Sequence, residues 1–451
     1  MALHSPVVQV SHPIVIAENV ALPAYAQGDT SVPLIRTTIG DVFDQACQKH
    51  PDRLAAVFCE ENISWTFRQL NAEVTRVAAN LYDLGVRSGD RVGLFMCNYS
   101  PGFLLLLAAA RLGAVAAMLH PTFLAHELEY ALQLTDCNVL VVQPSYKTTD
   151  CIQLLLQIMP ELETSDSCQC RIAKFPFLTA VFVAECRGVG TFGNHRLCPT
   201  NWRSISGLTC FHTFVALPYS QATVAAISHL DVKPTDPICI SFTSGSTGKP
   251  KAVVSSHRNQ LNASYLTGRF IKTTGHMVIC VPVPMYHIYG TVSSAFVVVT
   301  HGATVVFPGS LYTSKATLKT IHTHQCNVVV GVGPMYVDQM LHPAFGQTSL
   351  ASLQCAVVSG SNCLPLVKTE IIRRFQLRQL LNIFGMTGDI AELDAQGYCR
   401  IIDRKKDMII KGGENIFPGE VEQCLTEHPN IQNVAVIGVT HEWMEEEVSK
   451  A

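Results

Sequence analysis

Residues 243–251, with the sequence TSGSTGKPK, have the composition of a loop that binds an anion, and they directly follow the apolar run PICISF. Two glycines and four hydroxyl residues occupy the first six positions. Glycine lets the backbone bend tightly, so main-chain amides and hydroxyls can surround phosphate oxygens, while Lys249 and Lys251 add positive charge. The run therefore predicts a nucleotide phosphate-binding loop; the alternative is a polar turn with chance lysines.

The kinase-type phosphate loop, G-x-x-x-x-G-K-[ST], does not fit this run. Only two residues separate Gly245 from Gly248, where that motif needs four. Pro250 stands where the metal-binding Ser or Thr would follow the lysine. The loop is therefore expected to hold a nucleotide in another manner.

The elements that would position this loop alternate along the chain. A capping Thr and an amphipathic helix are predicted in TTIGDVFDQACQKHPD, and a longer helix in SWTFRQLNAEVTRVAANLYDLGV. Strands are predicted at DRVGLFMC, AVAAML, NVLVVQ, PICISFT, HMVICVPV, ATVVF, NVVVGV and QCAVVSG. Helices and strands joined by short links favour an α/β fold with parallel sheets flanked by helices.

Residues 161–225 interrupt this alternation. The segment CRGVGTFGNHRLCPTNWRSISGLTCFHTF has no clean periodicity and many turn formers. We interpret it as a long surface excursion or as translated non-coding sequence. Beyond it, GYCRIIDRKKDMIIKGG is interpreted as a β-hairpin-like segment at a charged hinge, FPGEVEQCLTEHPN as a helix and VAVIGVT as a strand.

Composition limits the class of protein. Of 451 residues, 48% are hydrophobic and 15% charged, and the formal net charge is -3. Such a chain can bury a large core, and it has no basic block that would favour nucleic acid. The 17 cysteines include no Cys-x-x-Cys pair, which argues against a zinc site or a disulfide framework and for a reducing compartment.

Neither a targeting signal nor a membrane span is predicted. The N-terminal run lacks a secretory pattern and an arginine-rich amphipathic pattern, so we expect an intracellular protein, cytoplasmic or mitochondrial. Residues 102–119 are strongly apolar, but Arg111 lies near their middle and Gly113 is a helix stop. We interpret them as a buried helix followed by a buried strand.

Four motifs together resemble one family. They are TSGSTGKPKAVVSSHRN, PMYHIYG at 284–290, NIFGMT at 382–387, and TGDIAELDAQGYCRIIDRKKDMIIKGGENIFPGEVE at 387–422. In this order they resemble the adenylate-forming acyl-CoA synthetases, especially the medium-chain, family member 2-like group. The resemblance implies a large N-terminal adenylate-forming α/β domain of helix-flanked sheets, residues 37–402. It also implies a small, partial α+β C-terminal domain, residues 403–451.

The resemblance also assigns roles to individual residues. The phosphates would lie against Thr243, Ser244, Gly245, Ser246, Thr247, Gly248, Lys249, Pro250 and Lys251, with Thr247 as the candidate Mg²⁺ ligand. The adenosine would contact Ser359, Gly360, Ser361, Phe384 and Gly385, with Thr387 on the α-phosphate and Asp389 and Arg404 on the ribose. Lys406 would be the hinge, and Gly412, Gly413 and Glu414 would line the pantetheine tunnel. The candidate catalytic residues are Lys251, Thr387 and His287.

Several of these residues have a structural alternative. Asp389 could cap a turn, and Arg404 could form a surface ion pair worth less than about 1 kcal/mol. His287 is either a satisfied core histidine or a residue at the wall of the acyl pocket that gates the carboxylate. His322 and His324 are interpreted as helix-face residues.

The chain departs from the family pattern in three places. NIFGMT and TGDIAELD share Thr387, so Gly388 stands where the family has a Mg²⁺-binding Glu, and an internal β-rich subdomain is missing at 387–388. A skipped exon, natural or from a faulty gene model, would give such a join. The chain also stops at Ala451 without the family's late lysine, and Ala252 replaces a glycine. Because neighbouring apolar faces would be exposed, we expect little or no thioester formation.

The function implied is an ATP-dependent fatty acid–CoA ligase that acts through an acyl-adenylate and uses ATP, Mg²⁺ and coenzyme A. The expected partner is a medium-chain carboxylic acid, whose pocket walls would come from PMYHIYG and GVGPMYVDQM. One alternative is a ligase for aryl or other carboxylates, or an amino-acid adenylating module, although no acidic residue is placed to meet a substrate ammonium. Another is a catalytically inactive isoform that binds nucleotide or a partner subunit.

Overall fold

The computed structural model describes most of the chain. Described are residues 31–165, 172–185, 201–243, 250–360, 363 and 365–383. Beyond them, the backbone is described for 389–393, 399–404, 409–411, 414–416, 421–422, 425, 436–441 and 445–450. The chain divides into two compact units, one of residues 34–382 and one of residues 1–33 with 383–451. The domain boundary at 402 stays a prediction.

The unit of residues 34–382 contains two seven-stranded sheets. Its strands are β1 (Leu54–Phe58), β2 (Ile63–Thr66), β3 (Arg91–Phe95), β4 (Val115–Leu119), β5 (Val139–Val142), β6 (Ser145–Tyr146), β7 (Thr149–Asp150), β8 (Ala180–Val183), β9 (Leu208–Cys210), β10 (Pro237–Thr243), β11 (Lys251–Ser256), β12 (Val278–Cys280), β13 (Thr304–Phe307), β14 (Val328–Gly331), β15 (Cys355–Val358) and β16 (Gln379–Asn382). The first sheet has the order β11-β10-β4-β3-β5-β8-β9 and the second β16-β15-β14-β12-β13-β1-β2.

Helices flank these strands, as the alternation predicted. They are α1 (Ile39–Lys49), α2 (Phe67–Leu84), α3 (Ser100–Leu112), α4 (Ala125–Thr135), α5 (Cys151–Ile158), α6 (Phe211–Val215), α7 (Gln221–Ser228), α8 (His257–Phe270), α9 (Ile288–Ser293), α10 (Ala295–His301), α11 (Ser314–Thr323), α12 (Gly333–Leu341) and α13 (Pro365–Phe375). In the two seven-stranded sheets, neighbouring strands are parallel except at one edge of each, where β11 and β2 are antiparallel to β10 and β1. Strands β6 and β7 form a separate antiparallel pair. The α/β fold is therefore confirmed.

Helix α3 joins the two sheets and explains the apolar run at 102–119. Its residues are almost all buried, and the ring of Phe103 lies 5.8 Å from Phe58 on β1 and 5.9 Å from Phe307 on β13. Arg111 is accommodated because it pairs with Asp44 of α1 and donates to the Thr75 hydroxyl at 2.7 Å. Gly113 ends the helix in a left-handed conformation. The prediction of a buried helix leading into a buried strand is confirmed, and none of the described helices is long and apolar enough to cross a bilayer.

Two predicted elements need correction. Residues 161–225 are not a plain excursion, because β8 and β9 within them extend the first sheet in parallel and α6 and α7 follow. These strands have only four and three residues, too short for a clear periodic signal. The helix predicted from Ser64 begins instead at Phe67: Ile63–Thr66 pairs with β1, and Thr66 caps α2 by accepting from the Gln69 amide at 3.2 Å.

The second unit contains two small antiparallel sheets. Strand β17 (Asp389–Leu393) pairs with β18 (Cys399–Arg404). The other sheet has the order β20-β19-β22-β21, formed by β19 (Ile409–Lys411), β20 (Glu414–Ile416), β21 (Val436–His441) and β22 (Glu445–Lys450). The hairpin is thus β17–β18, earlier than predicted, and the strand expected at VAVIGVT is present as β21. Most of the predicted helix FPGEVEQCLTEHPN lies outside the described residues.

Candidate functional site

The predicted nucleotide segments follow the carboxyl ends of strands in both sheets. Thr243 is the last residue of β10, and Ser359 comes directly after β15. In parallel sheets the carboxyl ends lie at one edge, where side chains and loops from several strands can surround a ligand. The geometry of this strand-end region depends on the segment 284–290, which follows β12.

Asn98, which follows β3 of the first sheet, holds the segment 284–290 in place. Its Oδ1 accepts a hydrogen bond from the Met285 amide at 2.6 Å, and its Nδ2 donates to the Val283 carbonyl at 2.9 Å. Asn98 is buried, so these bonds form away from water and fix the segment firmly. A residue of the connection after β3 thereby sets the path of a loop that follows a strand of the second sheet.

The same loop closes tightly on itself at Gly290. A Cβ at this position would lie 2.1 Å from the Pro284 carbonyl oxygen, so only glycine fits without a backbone shift. Thr291 adds a hydrogen bond from its hydroxyl to the Met285 carbonyl at 2.8 Å. The loop is therefore a rigid support for the residues it carries.

Tyr289 connects the loop to the nucleotide side of the second sheet. Its hydroxyl donates to the Val357 carbonyl at 2.9 Å and accepts from the Gly331 amide at 3.2 Å. Burial raises the pKa of Tyr289, so the hydroxyl keeps its proton. Of the two strands it joins, β14 ends at Gly331 and β15 ends at Val358, immediately before Ser359 and Gly360.

His287 lies on this loop and keeps a hydrogen-bond donor available. It is the N-cap of α9, and its Nδ1 accepts from the Tyr289 amide at 3.3 Å. The proton of the neutral ring therefore resides on Nε2. The residue is exposed to solvent, yet partial desolvation by the surrounding protein lowers its pKa. A neutral ring with an Nε2–H donor can hydrogen-bond a carboxylate oxygen.

An aromatic chain runs from His287 to the predicted phosphate loop. Tyr286, beside His287, lies 4.7 Å from the ring of His120, which lies 5.4 Å from Phe123. Phe123 then meets Phe242 of β10 edge-on at 5.6 Å. The sequence reasoning missed His120, although a polar residue between the strand AVAAML and a proline was a signal available in the sequence.

Only the two ends of the predicted phosphate loop can be placed. Thr243 and Lys251 are paired in register in the β10–β11 hairpin, and both are exposed. Pro250 is half-buried, while Ser244, Gly245, Ser246, Thr247, Gly248 and Lys249 lie outside the described residues. Lys251 is thus the first residue of a strand, held opposite Thr243 at the base of the predicted loop.

On the predicted adenosine side, Ser359 and Gly360 are described. The Ser359 amide donates to the Gly331 carbonyl at 3.2 Å, and Gly360 has a positive φ of 77° that favours glycine. Outside the described residues lie Ser361, Phe384, Gly385 and Thr387. Their roles stay predictions.

In the second unit, Asp389 and Arg404 are directly opposite each other in the β17–β18 ladder. Both were assigned to the ribose, and their backbone register brings them together. Glu414 begins β20 opposite Lys411. Lys406, Gly412 and Gly413 lie outside the described residues.

The described side chains provide no ready metal site. None of their His, Cys, Asp and Glu residues form a group of three that could hold an ion. Thr247, the predicted Mg²⁺ ligand, is outside the described residues.

Two other expectations are corrected by the geometry. Tyr336, expected at a pocket wall, is fully buried, and its hydroxyl donates to strand carbonyls at Val357 (2.8 Å) and Val329 (3.0 Å). It is a core residue, and its ring also packs edge-on against Phe375 of α13 at 5.8 Å. His324 is not a plain helix-face residue, since it ends α11 with its Nε2 3.5 Å from the Cys59 sulfur.

Comparisons with known proteins agree with this architecture. A family profile described as "AMP-binding enzyme" matches residues 43–389. The chain is 29% identical to the medium-chain acyl-CoA ligase ACSF2, mitochondrial, of Mus musculus, with 99% of this chain and 83% of the relative covered. The fold is similar to that of a Mycobacterium tuberculosis fatty acyl CoA synthetase (TM-score 0.68, 20% identity, 92% and 87% covered). ATP-bound MatB from Rhodopseudomonas palustris is also similar (TM-score 0.71, 20% identity, 91% and 88% covered).

The alignment with the mouse relative also bears on the missing segment. It extends over 531 positions, which exceeds the 451 residues of the chain by 80. At least that many positions of the alignment therefore have no counterpart in this chain. The internal deletion at 387–388 stays a prediction.

Proposed function

Because the chain belongs to the AMP-binding enzyme family, we propose that it is an ATP-dependent acid–CoA ligase that forms an acyl-adenylate. In the first step a carboxylate oxygen of the acid attacks the α-phosphorus of ATP, and pyrophosphate leaves. In the second step the thiol of coenzyme A attacks the acyl carbon, and AMP leaves with the P–O bond intact. The acid must be activated because a free carboxylate is a poor electrophile, whereas AMP is a good leaving group.

One observation supports this proposal most directly. The loop 284–290 is fixed to both sheets, by Asn98 on one side and by Tyr289 on the other. It holds His287 near the carboxyl ends of β14 and β15 in the second sheet, and Tyr286 meets His120, which follows β4 in the sheet that carries Thr243. We infer that the Nε2–H of His287 orients the carboxylate toward a nucleotide bound between Thr243 and Ser359. Reacting groups held in such fixed geometry lose little further entropy on the way to the transition state.

The nucleotide contacts belong to the same proposal. Thr243 and Lys251 would meet the phosphates, with charge-assisted hydrogen bonds from the lysine. Ser359 and Gly360 would line the adenosine. Bound Mg²⁺ would neutralise phosphate charge and polarise the α-phosphate. The remaining contacts are proposed from the sequence motifs alone. Asp389 and Arg404 would bind the ribose and Thr387 the α-phosphate. Coenzyme A would contact Gly412, Gly413 and Glu414.

The acid is proposed to be a medium-chain fatty acid, because the mouse relative is named a medium-chain acyl-CoA ligase. Tyr286, which is half-buried, places an aromatic ring next to His287, which suits an alkyl chain better than a charged one. The same relative is named as mitochondrial. A mitochondrial rather than cytoplasmic location is accordingly the one we would test first, by imaging a C-terminally tagged chain.

A second function is favoured by the alignment. At least 80 positions of the alignment have no counterpart in this chain, and Gly388 stands where the family resemblance implies a Mg²⁺-binding Glu. Such losses would impair turnover more than nucleotide binding. The chain would then be a nucleotide-binding protein with little thioester formation. Both functions use the strand-end region, but they differ in whether AMP is released.

One experiment separates these functions. The purified chain and the mouse relative are each incubated with ATP, Mg²⁺, coenzyme A and one acid from a panel of octanoate, benzoate and alanine, and AMP is measured. The ligase proposal expects AMP release that depends on octanoate, at a rate below that of the relative. Nucleotide binding without turnover would appear as an ATP-induced rise in melting temperature with no acid-dependent AMP. If the chain showed no AMP release and no protection by ATP, both functions would be contradicted.

A further inference from the structure

His120 lies at a point where the two halves of the proposed site meet. It follows β4 of the first sheet, and its ring is stacked on Phe123 at 5.4 Å with an interplanar angle of 16°. It also meets the ring of Tyr286 at 4.7 Å, with the two rings tilted by 58°. Tyr286 is the residue before His287, so the ring of His120 supports the segment that carries the residue proposed to bind the substrate carboxylate.

Phe123 extends this support to the hairpin of the predicted phosphate loop. It meets the ring of Phe242 at 5.6 Å and 88°, the edge-to-face arrangement that aromatic rings prefer. Phe242 directly precedes Thr243 on β10. The stack Phe242–Phe123–His120–Tyr286 therefore fixes the spacing between the base of the predicted phosphate loop and His287.

Hydrogen bonding does not account for the position of His120. Its Nε2 is buried and has no hydrogen-bond partner in the part of the chain that the structure describes. Burial and the nearby His287 lower the pKa of His120, and Glu127 opposes them. A neutral imidazole ring is suited to packing against the rings of Phe123 and Tyr286. A buried nitrogen without a hydrogen-bond partner lowers stability, which is a disadvantage if the residue has only a structural role.

We propose that His120 is a positioning residue of the acid site: its ring holds Tyr286, and through it His287, at a fixed distance from the strand that carries Thr243. This inference rests on the proposed ligase function. It predicts that disturbing the stack weakens recognition of the acyl group and leaves recognition of the nucleotide nearly unchanged. A residue with a general structural role would weaken both.

Binding of two ligands tests this split without requiring turnover. Dissociation constants for AMP and for octanoyl sulfamoyl adenosine, a stable analogue of the acyl-adenylate, are measured by calorimetry. The proteins are the wild-type chain, His120→Ala, His120→Phe and, as a control, His126→Ala, an exposed histidine on the following helix α4. His120→Ala is expected to weaken the acyl analogue about tenfold while AMP changes less than about twofold.

The phenylalanine variant decides what the ring contributes. His120→Phe keeps an aromatic ring and removes the nitrogen, so it is expected to bind the acyl analogue nearly as well as the wild type, as is His126→Ala. Equal losses for both ligands in His120→Ala, no loss for either, or a loss in His120→Phe as large as in His120→Ala would each overturn the positioning role. If the wild-type chain bound the acyl analogue no tighter than AMP, the ligase function itself would fail, which is a separate result.

Discussion

The hydroxyl of Tyr289 donates a 2.9 Å hydrogen bond to the main-chain oxygen of Val357, near the end of β15. The same hydroxyl accepts from the Gly331 amide at the end of β14. The side chain of Tyr289, from the loop after β12, thus joins the neighbouring parallel strands β14 and β15. It does so near the end of β15, just before the predicted adenosine residues Ser359 and Gly360. This arrangement makes the loop 284–290 a structural link as well as the support of His287.

Removing this hydroxyl should weaken the fold measurably. Tyr289→Phe leaves the buried Gly331 amide without its acceptor and takes a donor from Val357, a loss of about 1–3 kcal/mol in the free energy of unfolding. Urea unfolding followed by fluorescence measures it. Tyr265→Phe is the control, because its ring still stacks on His301. Equal stability of the two variants would contradict the role given to Tyr289.

Gly290→Ala should be more damaging than an alanine at another glycine. The new Cβ would lie 2.1 Å from the Pro284 oxygen and 3.0 Å from the Met285 nitrogen, so the backbone of the loop must shift. We expect a loss of about 3 kcal/mol in the free energy of unfolding. Gly346→Ala, where no atom lies within 4 Å of the added Cβ, is the matched control and should stay close to wild type.

Glu61 should make stability depend on pH. Its side chain is buried and accepts from the Ser100 amide at 2.7 Å and from the Ser100 hydroxyl at 2.8 Å. Burial raises the pKa of Glu61 to about 7, with Glu60 adding to the rise and the bonds from Ser100 opposing it. The protonated form is favoured in the folded state, so its stabilising contribution is complete below pH 4.5 and disappears as the pH rises to about 7.

Glu61→Gln removes this titration. As the pH rises from 4.5 to 7.5, the free energy of unfolding of the variant should increase relative to that of wild type by on the order of 2–3 kcal/mol. Denaturant unfolding at several pH values measures the change. Glu73→Gln, at a partly exposed position on α2, should leave the pH profile unchanged. Parallel profiles for wild type and Glu61→Gln would rule out the raised pKa.

Lys251→Ala tests the proposed phosphate contact. Because Lys251 is exposed at the start of β11, its removal should leave folding intact. Losing a charge-assisted hydrogen bond to phosphate should weaken ATP binding about tenfold or more, while adenosine, which has no phosphate, should bind as before. Calorimetry measures both ligands, and Lys315→Ala on α11 serves as the surface control. An equal change in ATP affinity for both variants would exclude Lys251 from the phosphate site.

The sequence alone determined the elements whose signal is local. Thr38 caps α1, the apolar strands β3, β10, β13 and β14 are present, and Gly113 ends α3 in the conformation expected of a C-cap glycine. The glycine- and hydroxyl-rich run at 243–251 gave a nucleotide hypothesis, and the family profile agrees with it. These signals succeed because helix periodicity, apolar runs and capping depend on residues a few positions apart.

Only the tertiary structure decided how distant segments meet. Short β8 and β9 become strands because β5 offers an edge for pairing, and Tyr336 is a core residue because its hydroxyl reaches two strand carbonyls. The stack through His120 joins the neighbouring residues 120 and 123 to residues 242 and 286, which no local pattern relates to them. Their contacts depend on the order of strands in a sheet and on the path of a loop, which is fixed by hydrogen bonds from another sheet. Local composition determines neither the order of the strands nor the path of the loop.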